Sequence, residues 1–143
     1  MQKDVVFTEY GAYHRDRRNR ACHAVGIPLI VLGLLGLAAQ VKLGPIDLAI
    51  VLAVATLVFY ASIDVRGAVV SAVIFGLLYV AAVHLSWGID VGAFVGGWVF
   101  QLVGHYFEGK KPKFLENLTY LLIGPLYMFE ELTFGMLRSK RAA

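Results

Sequence analysis

Four long stretches of the chain contain no Asp, Glu, Lys or Arg, and this pattern restricts the fold more than any other feature. They are Ala21–Val41, Leu48–Ile63, Gly67–Ile89 and Val91–Phe107. A helix that crosses the hydrocarbon core of a bilayer needs about 20 apolar residues, with a range of roughly 17–25. The first and third stretches reach that length, and the other two approach it with flanking residues. We therefore expect an all-α integral membrane protein.

The composition agrees with a membrane protein. Of the 143 residues, 59% are hydrophobic and 16% are charged, whereas about 25% of an ordinary soluble domain is charged. One small core cannot bury so much apolar surface, which excludes a soluble globular domain. The single cysteine, Cys22, excludes a disulfide framework and paired-cysteine zinc motifs. Nucleic acid is not an expected partner, because no basic stripe carries interleaved aromatic residues.

The neutral stretches predict a four-helix transmembrane bundle forming a single domain, residues 1–143. The expected spans are about 24–41, 46–62, 68–86 and 91–107. The turns between them, at Lys42–Asp47, Asp64–Arg66 and Ser86–Asp90, are short enough to make successive helices antiparallel. With four crossings, every Lys and Arg except Lys42 falls on one side of the membrane. The positive-inside rule then places both termini in the cytoplasm.

The last apolar run, residues 118–137, has a different character. Gly124–Pro125 interrupts it, and Glu130 and Glu131 lie inside it, although carboxylates facing lipid are costly. A full crossing would also carry the basic tail to the far side. We interpret this run as a re-entrant or interfacial pair of short helices on the cytoplasmic side, with a fifth crossing as the alternative. The abundance of Ala, Val, Leu, Gly and Arg favours a bacterial cytoplasmic membrane over a reticular one.

Three of the four histidines are expected on the cytoplasmic side. His14 and His23 precede the first span and His105 ends the fourth. Glu108 follows His105 by three residues, on the same helical face. Imidazole and carboxylate groups bind divalent transition metals, so these four residues form a candidate metal site. His14 and His23 are nine residues apart and would face opposite sides of one helix, so a shared site needs a bend around Asp16–Asn19.

Two further ionisable residues, Glu130 and His84, are candidates for the same site. Glu130 could hold an imidazole N–H of the metal site or cap the re-entrant turn. His84 is separated from His105 by about 20 Å along the helix axes and could reach the site only through a broken helix. That separation also disfavours a haem-binding electron carrier using paired histidines. A non-enzymatic bundle, such as a scaffold or a transporter component, is the other alternative. Gly92 and Gly96 are expected to pack against a neighbouring helix.

Two spaced motifs resemble those of the Mpo1-like family. The first is Tyr13-His14-(x4)-Asn19-(x3)-His23-(x4)-Pro28, and the second is Gly97-Trp98-(x2)-Gln101-(x2)-Gly104-His105-(x2)-Glu108-(x3)-Pro112. Asn117-Leu118, Pro125 and Phe129-Glu130 follow in the family's order. The resemblance implies an Fe(II)-dependent membrane dioxygenase that converts 2-hydroxy fatty acids and O₂ to acids one carbon shorter by α-oxidation. It also implies an iron site and catalytic centre built from His14, His23 and His105, with Glu108 as a further ligand.

The implied chemistry suits the expected frame. Imidazole and carboxylate ligands that leave coordination positions open are typical of non-haem Fe(II) that activates O₂. A 2-hydroxy acid can chelate iron through its carboxylate and hydroxyl groups. Its acyl tail would lie between the helices or in the lipid bilayer, and basic residues would attract the carboxylate. The candidates for that attraction are Arg15, Arg17, Arg18 and Lys110.

Overall fold

The computed structural model describes residues 1–135, in which α-helices dominate. The helices are α1 (Lys3–Ala12), α2 (Arg17–Ala38), α3 (Leu48–Ile63), α4 (Val65–Val83), α5 (Trp87–Glu108) and α6 (Thr119–Glu130). A 3₁₀ turn (Lys113–Leu115) precedes α6 and a π-helical turn (Glu131–Gly135) follows it. The all-α prediction is confirmed. The end of the expected interfacial segment, residues 136–137, and the basic tail lie outside the described residues.

Side-chain caps decide where several helices begin. Asp16 accepts the backbone N–H of Arg18 at the start of α2, and Asp64 accepts that of Gly67 at the start of α4. Such caps satisfy N–H groups that have no partner inside the helix. Because of the Asp16 cap, α2 begins seven residues before the expected span and includes His23. Ser86 likewise starts α5 at Trp87 rather than at position 91.

The helices from α2 to α5 run alternately up and down. A short β-hairpin, with strands β1 (Lys42–Leu43) and β2 (Ile46–Asp47) of two residues each, joins α2 to α3. Gly44 allows its tight turn by adopting a φ of 71°. Asp64 alone, in an extended conformation, separates α3 from α4. The Tyr79 hydroxyl near the end of α4 donates to Asp47 at the start of α3 over 2.5 Å, as expected for antiparallel neighbours.

Three of the described helices, α2, α4 and α5, are long and apolar enough to cross a membrane. Helix α3 is apolar but has only 16 residues, or about 24 Å. Exposed aliphatic side chains cover the outside of the bundle, among them Val58, Val69, Leu77 and Leu102. Such a surface is costly in water and suited to lipid. The expectation of four membrane spans stays a prediction, and α3 is the shortest of the four helices.

Helices α2 and α5 approach each other so closely that glycine is required at the contact. A Cβ added to Gly26 would lie 2.8 Å from the carbonyl oxygen of Gly97, and one added to Gly97 would lie 2.6 Å from that of Gly26. Real Cβ atoms are not found below 3.0 Å from such atoms. The expected packing role of Gly92 and Gly96 is wrong within residues 1–135, where a Cβ added to either would meet no atom within 4 Å. The helix face that packs instead carries Gly97 and Gly104.

Helices α1 and α6 pack together over the end of the bundle where α2 begins and α5 ends. Val6 and Tyr10 of α1 form a buried cluster with Tyr120 and Ile123 of α6. The predicted break at Gly124–Pro125 is wrong, because α6 continues through both residues. With 12 residues, α6 is about 18 Å long, which is too short to cross a bilayer alone.

Candidate metal centre

Three imidazoles from distant parts of the sequence meet beneath α1. His14 lies between α1 and α2, His23 lies in the second turn of α2, and His105 lies in the last turn of α5. Their ring centroids are 4.4–5.1 Å apart, and one potential ligand atom of each lies within 4.8 Å of the others. All three side chains are buried. The chain bends between α1 and α2, at residues 13–16, which allows His14 and His23 to face each other.

Backbone carbonyl groups fix the orientation of two of the rings. Nδ1 of His14 lies 2.7 Å from the carbonyl oxygen of Tyr10, and Nδ1 of His23 lies 3.0 Å from that of Asn19. A carbonyl oxygen only accepts hydrogen bonds, so each Nδ1 carries a hydrogen and each neutral ring has a bare Nε2. The two Nε2 atoms face each other at 3.0 Å. Two lone pairs at that distance repel unless a cation lies between them.

A proton is a poor candidate for that cation. Burial lowers the pKa of His14 to about 4, with the neighbouring His105 acting in the same direction, so this ring is neutral at physiological pH. Among the buried polar atoms of the described residues, Nδ1 of His105 also has no hydrogen-bond partner. Neutral imidazole nitrogens with free lone pairs are the ligands that divalent transition metals prefer. The donor set of His14, His23 and His105 therefore fits a metal ion.

The structure does not place Glu108 among the clustered imidazoles. Its Oε1 accepts the backbone N–H of Arg15, at 2.9 Å. Its Oε2 accepts the backbone N–H of Asp16, at 2.7 Å, and the side-chain amide of Asn19, at 3.1 Å. Both carboxylate oxygens thus hold the segment that follows His14, and the expectation that Glu108 is a metal ligand stays a prediction. The i, i+3 spacing from His105 puts it next to the site, where it orders the bend that presents His14.

The other two candidates also lie apart from the cluster. His84 caps the C-terminus of α4 and is exposed, at the opposite end of the bundle, since α5 runs about 27 Å from Trp87 to His105. These two histidines therefore cannot hold one haem. Glu130 is bound by Lys3, whose Nζ lies 2.5 Å from Glu130 Oε1 and 3.0 Å from Asp64 Oδ2. Lys3 thereby attaches α1 to α6 through Glu130 and to the start of α4 through Asp64.

A cavity of about 70 Å³ opens from the imidazoles into the space between α2, α5 and α6. Its walls are mostly apolar and include Ile27, Ile30, Val31, Trp98, Leu121 and Pro125. Gln101 and Lys113 are its polar lining residues apart from the histidines and two tyrosines. None of the four basic residues expected to attract a carboxylate lines this cavity. The site therefore combines a cluster of imidazoles that fits a metal ion with an apolar wall.

Sequence reasoning missed several of these residues. Tyr10 supports His14 through its carbonyl group and by stacking, with ring centroids 4.1 Å apart. Lys113 is paired with Glu116 and lies 4.9 Å from the Tyr13 ring. Its position at the cavity depends on these contacts, and no sequence motif indicates it. Gln101 had a usable signal, because it precedes His105 by four residues and therefore shares its helical face.

Comparison with known proteins places this arrangement in a family. Residues 3–136 match the model of the family described as "2-hydroxy-palmitic acid dioxygenase Mpo1-like". The chain is 30% identical over 134 residues to the 2-hydroxy-palmitic acid dioxygenase MPO1 of Saccharomyces cerevisiae, an alignment covering 89% of this chain and 77% of the yeast protein. No solved structure matches the chain significantly. On the near-complete family match and this identity, the chain belongs to the Mpo1-like family.

Proposed function

We propose that the protein is an Fe(II)-dependent membrane dioxygenase that converts 2-hydroxy fatty acids to fatty acids one carbon shorter. The convergence of three buried imidazoles, with two bare Nε2 atoms 3.0 Å apart at the end of an apolar cavity, is the observation that carries the proposal. Family membership and the name of the yeast relative support the substrate class. In the balanced reaction, the C1–C2 bond breaks, C1 leaves as CO₂, C2 becomes the new carboxyl group, and O₂ is reduced with release of water.

His14, His23 and His105 would hold the iron. When bound, Fe(II) would supply open coordination positions for the 2-hydroxy carboxylate and for O₂, since three imidazoles leave part of its coordination shell free. The carbonyl groups of Tyr10 and Asn19 keep the Nε2 atoms of His14 and His23 unprotonated and aimed at the shared position. Three neutral ligands leave the charge of the ion uncompensated, which favours an anionic head group.

The remaining cavity residues would hold the acyl tail. Ile27, Ile30 and Val31 of α2 face Trp98 of α5 across the cavity. This lining excludes water from the reacting carbons and places the tail toward the middle of the bundle. An apolar wall beside the metal ligands therefore selects a long-chain acid over a short, soluble one.

We further propose four crossings, with the imidazole cluster at the cytoplasmic end and both termini in the cytoplasm of a bacterial cell. Trp87 and Tyr106 are 69% and 82% exposed near the two ends of α5, and the helix between them separates them by about 28 Å. This spacing approaches the ~30 Å hydrocarbon thickness at whose edges such aromatic residues concentrate. The uneven distribution of Lys and Arg supports the orientation.

The decisive experiment combines metal analysis with product detection. Protein purified without oxygen should bind about one Fe(II) and, when exposed to air, should convert 2-hydroxypalmitate to the acid with 15 carbons, detected by mass spectrometry. His23→Ala and His105→Ala should lose both iron and turnover. His84→Ala, the same substitution outside the cluster, should retain both. Full iron binding by the His23 and His105 variants would refute the site.

A further inference from the structure

Gln101 is a buried amide with an unused acceptor. Its side chain lines the cavity and the residue is only 7% exposed. Its Oε1 has no hydrogen-bond partner among the described residues. A buried acceptor left without a donor costs about 1–3 kcal/mol, so this oxygen favours a cavity occupant that brings an O–H or N–H group. Apart from His23, the α2 residues that line the cavity are Ile27, Ile30 and Val31, whose side chains offer no donor.

The residues of α2 and α5 that line the cavity recur about once per helical turn. Gln101 lies one turn away from the metal ligands. On α5, Gln101 precedes His105 by four residues, and on α2, Ile27 follows His23 by four. A separation of four residues corresponds to about 6 Å along the helix axis. Trp98 and Val31 lie roughly one turn further on, and all these residues line the same cavity. A fatty acid with its carboxylate at the imidazoles and its tail beside Trp98 must pass Gln101 with its first carbons.

Combining these two observations, we propose that Gln101 is the residue that recognises the 2-hydroxyl group of the acid. Its Oε1 accepts the hydroxyl hydrogen, and the protein thereby distinguishes a 2-hydroxy acid from the corresponding plain fatty acid. This assignment rests on the proposed function. A plain fatty acid places a CH₂ group against the amide and leaves Oε1 unsatisfied, so the cost of burial is not recovered.

The test measures binding rather than turnover. Full-length protein in detergent, loaded with Fe(II) without oxygen, is titrated with 2-hydroxypalmitate and with palmitate, and the ratio of the two dissociation constants is taken. Wild-type protein should prefer the hydroxylated acid by at least about fivefold, the lower bound for satisfying one buried acceptor. A parallel titration of metal-free protein isolates the preference that side chains provide without chelation. The two enantiomers of 2-hydroxypalmitate are compared, because one fixed acceptor reads one hydroxyl position.

Gln101→Leu removes the acceptor, and Gln40→Leu is the matched control, since Gln40 is exposed beyond the end of α2. Gln101→Leu should bring the preference in metal-free protein close to one and abolish enantiomer discrimination, while palmitate binds as tightly as before or more tightly. Gln101→Met, which keeps an unbranched side chain, replaces it if the leucine variant unfolds. An unchanged preference in the Gln101 variants would overturn the assignment. Wild-type protein that binds neither acid would instead refute the proposed function.

Discussion

Gly104→Ala tests whether the contact between α2 and α5 sets the geometry of the metal centre. The added Cβ would lie 2.5 Å from Oδ1 of Asn19, 3.0 Å from Cβ of Cys22 and 3.2 Å from Nδ1 of His23. The first distance is about 0.9 Å short of the 3.4 Å at which ordinary contact begins. Asn19 is fully buried and held by two hydrogen bonds from its amide group. Because Asn19 cannot retreat, α2 and α5 must separate beside His23 and His105.

The magnitude follows from two opposing terms. Overpacking in a filled interior costs about 1–3 kcal/mol, whereas replacing a helical glycine by alanine gains roughly 1 kcal/mol. Gly104→Ala should therefore destabilise the protein by about 0–2 kcal/mol. Its larger effect should be on metal binding. Displacing supported ligands by part of an ångström should weaken the affinity for Fe(II) by about 10- to 100-fold, the range found when groups supporting a metal ligand are lost.

The assays are anaerobic Fe(II) titration and thermal unfolding in detergent. Gly92→Ala is the control, because Gly92 lies on the same helix and its added Cβ would meet none of the described residues within 4 Å. It should gain helix propensity without a clash, keeping iron affinity unchanged and raising the unfolding temperature slightly. If Gly104→Ala bound iron as tightly as Gly92→Ala, the close helix contact would not control the site.

Two further predictions concern the residues around the imidazoles. Glu108→Gln replaces one accepting oxygen with an NH₂ group, which cannot accept a hydrogen bond from Arg15, Asp16 or Asn19. The affinity for the metal should therefore fall about tenfold, while the absorption spectrum of bound Co(II) stays the same. A changed spectrum would identify Glu108 as a ligand. The metal-free protein should lose stability as the pH falls from about 6.5 to 4. In the unfolded chain His14 binds a proton at its ordinary pKa, whereas burial lowers its pKa in the folded protein to about 4. Between these two values protons bind the unfolded state preferentially, so the free energy of unfolding declines by roughly 3 kcal/mol from its value above pH 6.5. Chemical denaturation at several pH values should show a shallower decline for His14→Gln, and equal declines would contradict the prediction.

Features that depend on one helix at a time could be predicted from the sequence. The neutral stretches correctly indicated the apolar helices from α2 to α5, and the charges at their ends indicated that His14, His23 and His105 share one end of the bundle. Helix α1 was missed, although Val6 and Tyr10 have the i, i+4 spacing of a buried helical face. A single pair of apolar residues is too weak a signal without knowledge of its partner, α6.

Features that depend on the pairing of helices could not be predicted. Glycine alone does not reveal which helix face approaches a neighbour, so Gly92 and Gly96 looked as suitable as Gly97 and Gly104. Similarly, Pro125 removes one hydrogen bond from α6, and local rules predict a break there. Tertiary packing outweighs that loss, because flanking Ile123 and Leu126 are fully buried. The partners of Glu108 were hidden for the same reason, since its spacing from His105 does not reveal which chain segment crosses above it.

The order in which the three imidazoles appear along the chain has a consequence for how the protein is made. His14 and His23 leave the ribosome about 80 to 90 residues before His105, with the whole α3–α4 hairpin in between. During that interval α2 is in place without the helix against which its glycines fit. A nascent chain therefore has only two of the three imidazoles and, on the proposed function, would bind iron weakly. At the iron site proposed above, binding of the ion would wait until α5 has packed against α2, and unfinished chains would not carry a redox-active ion.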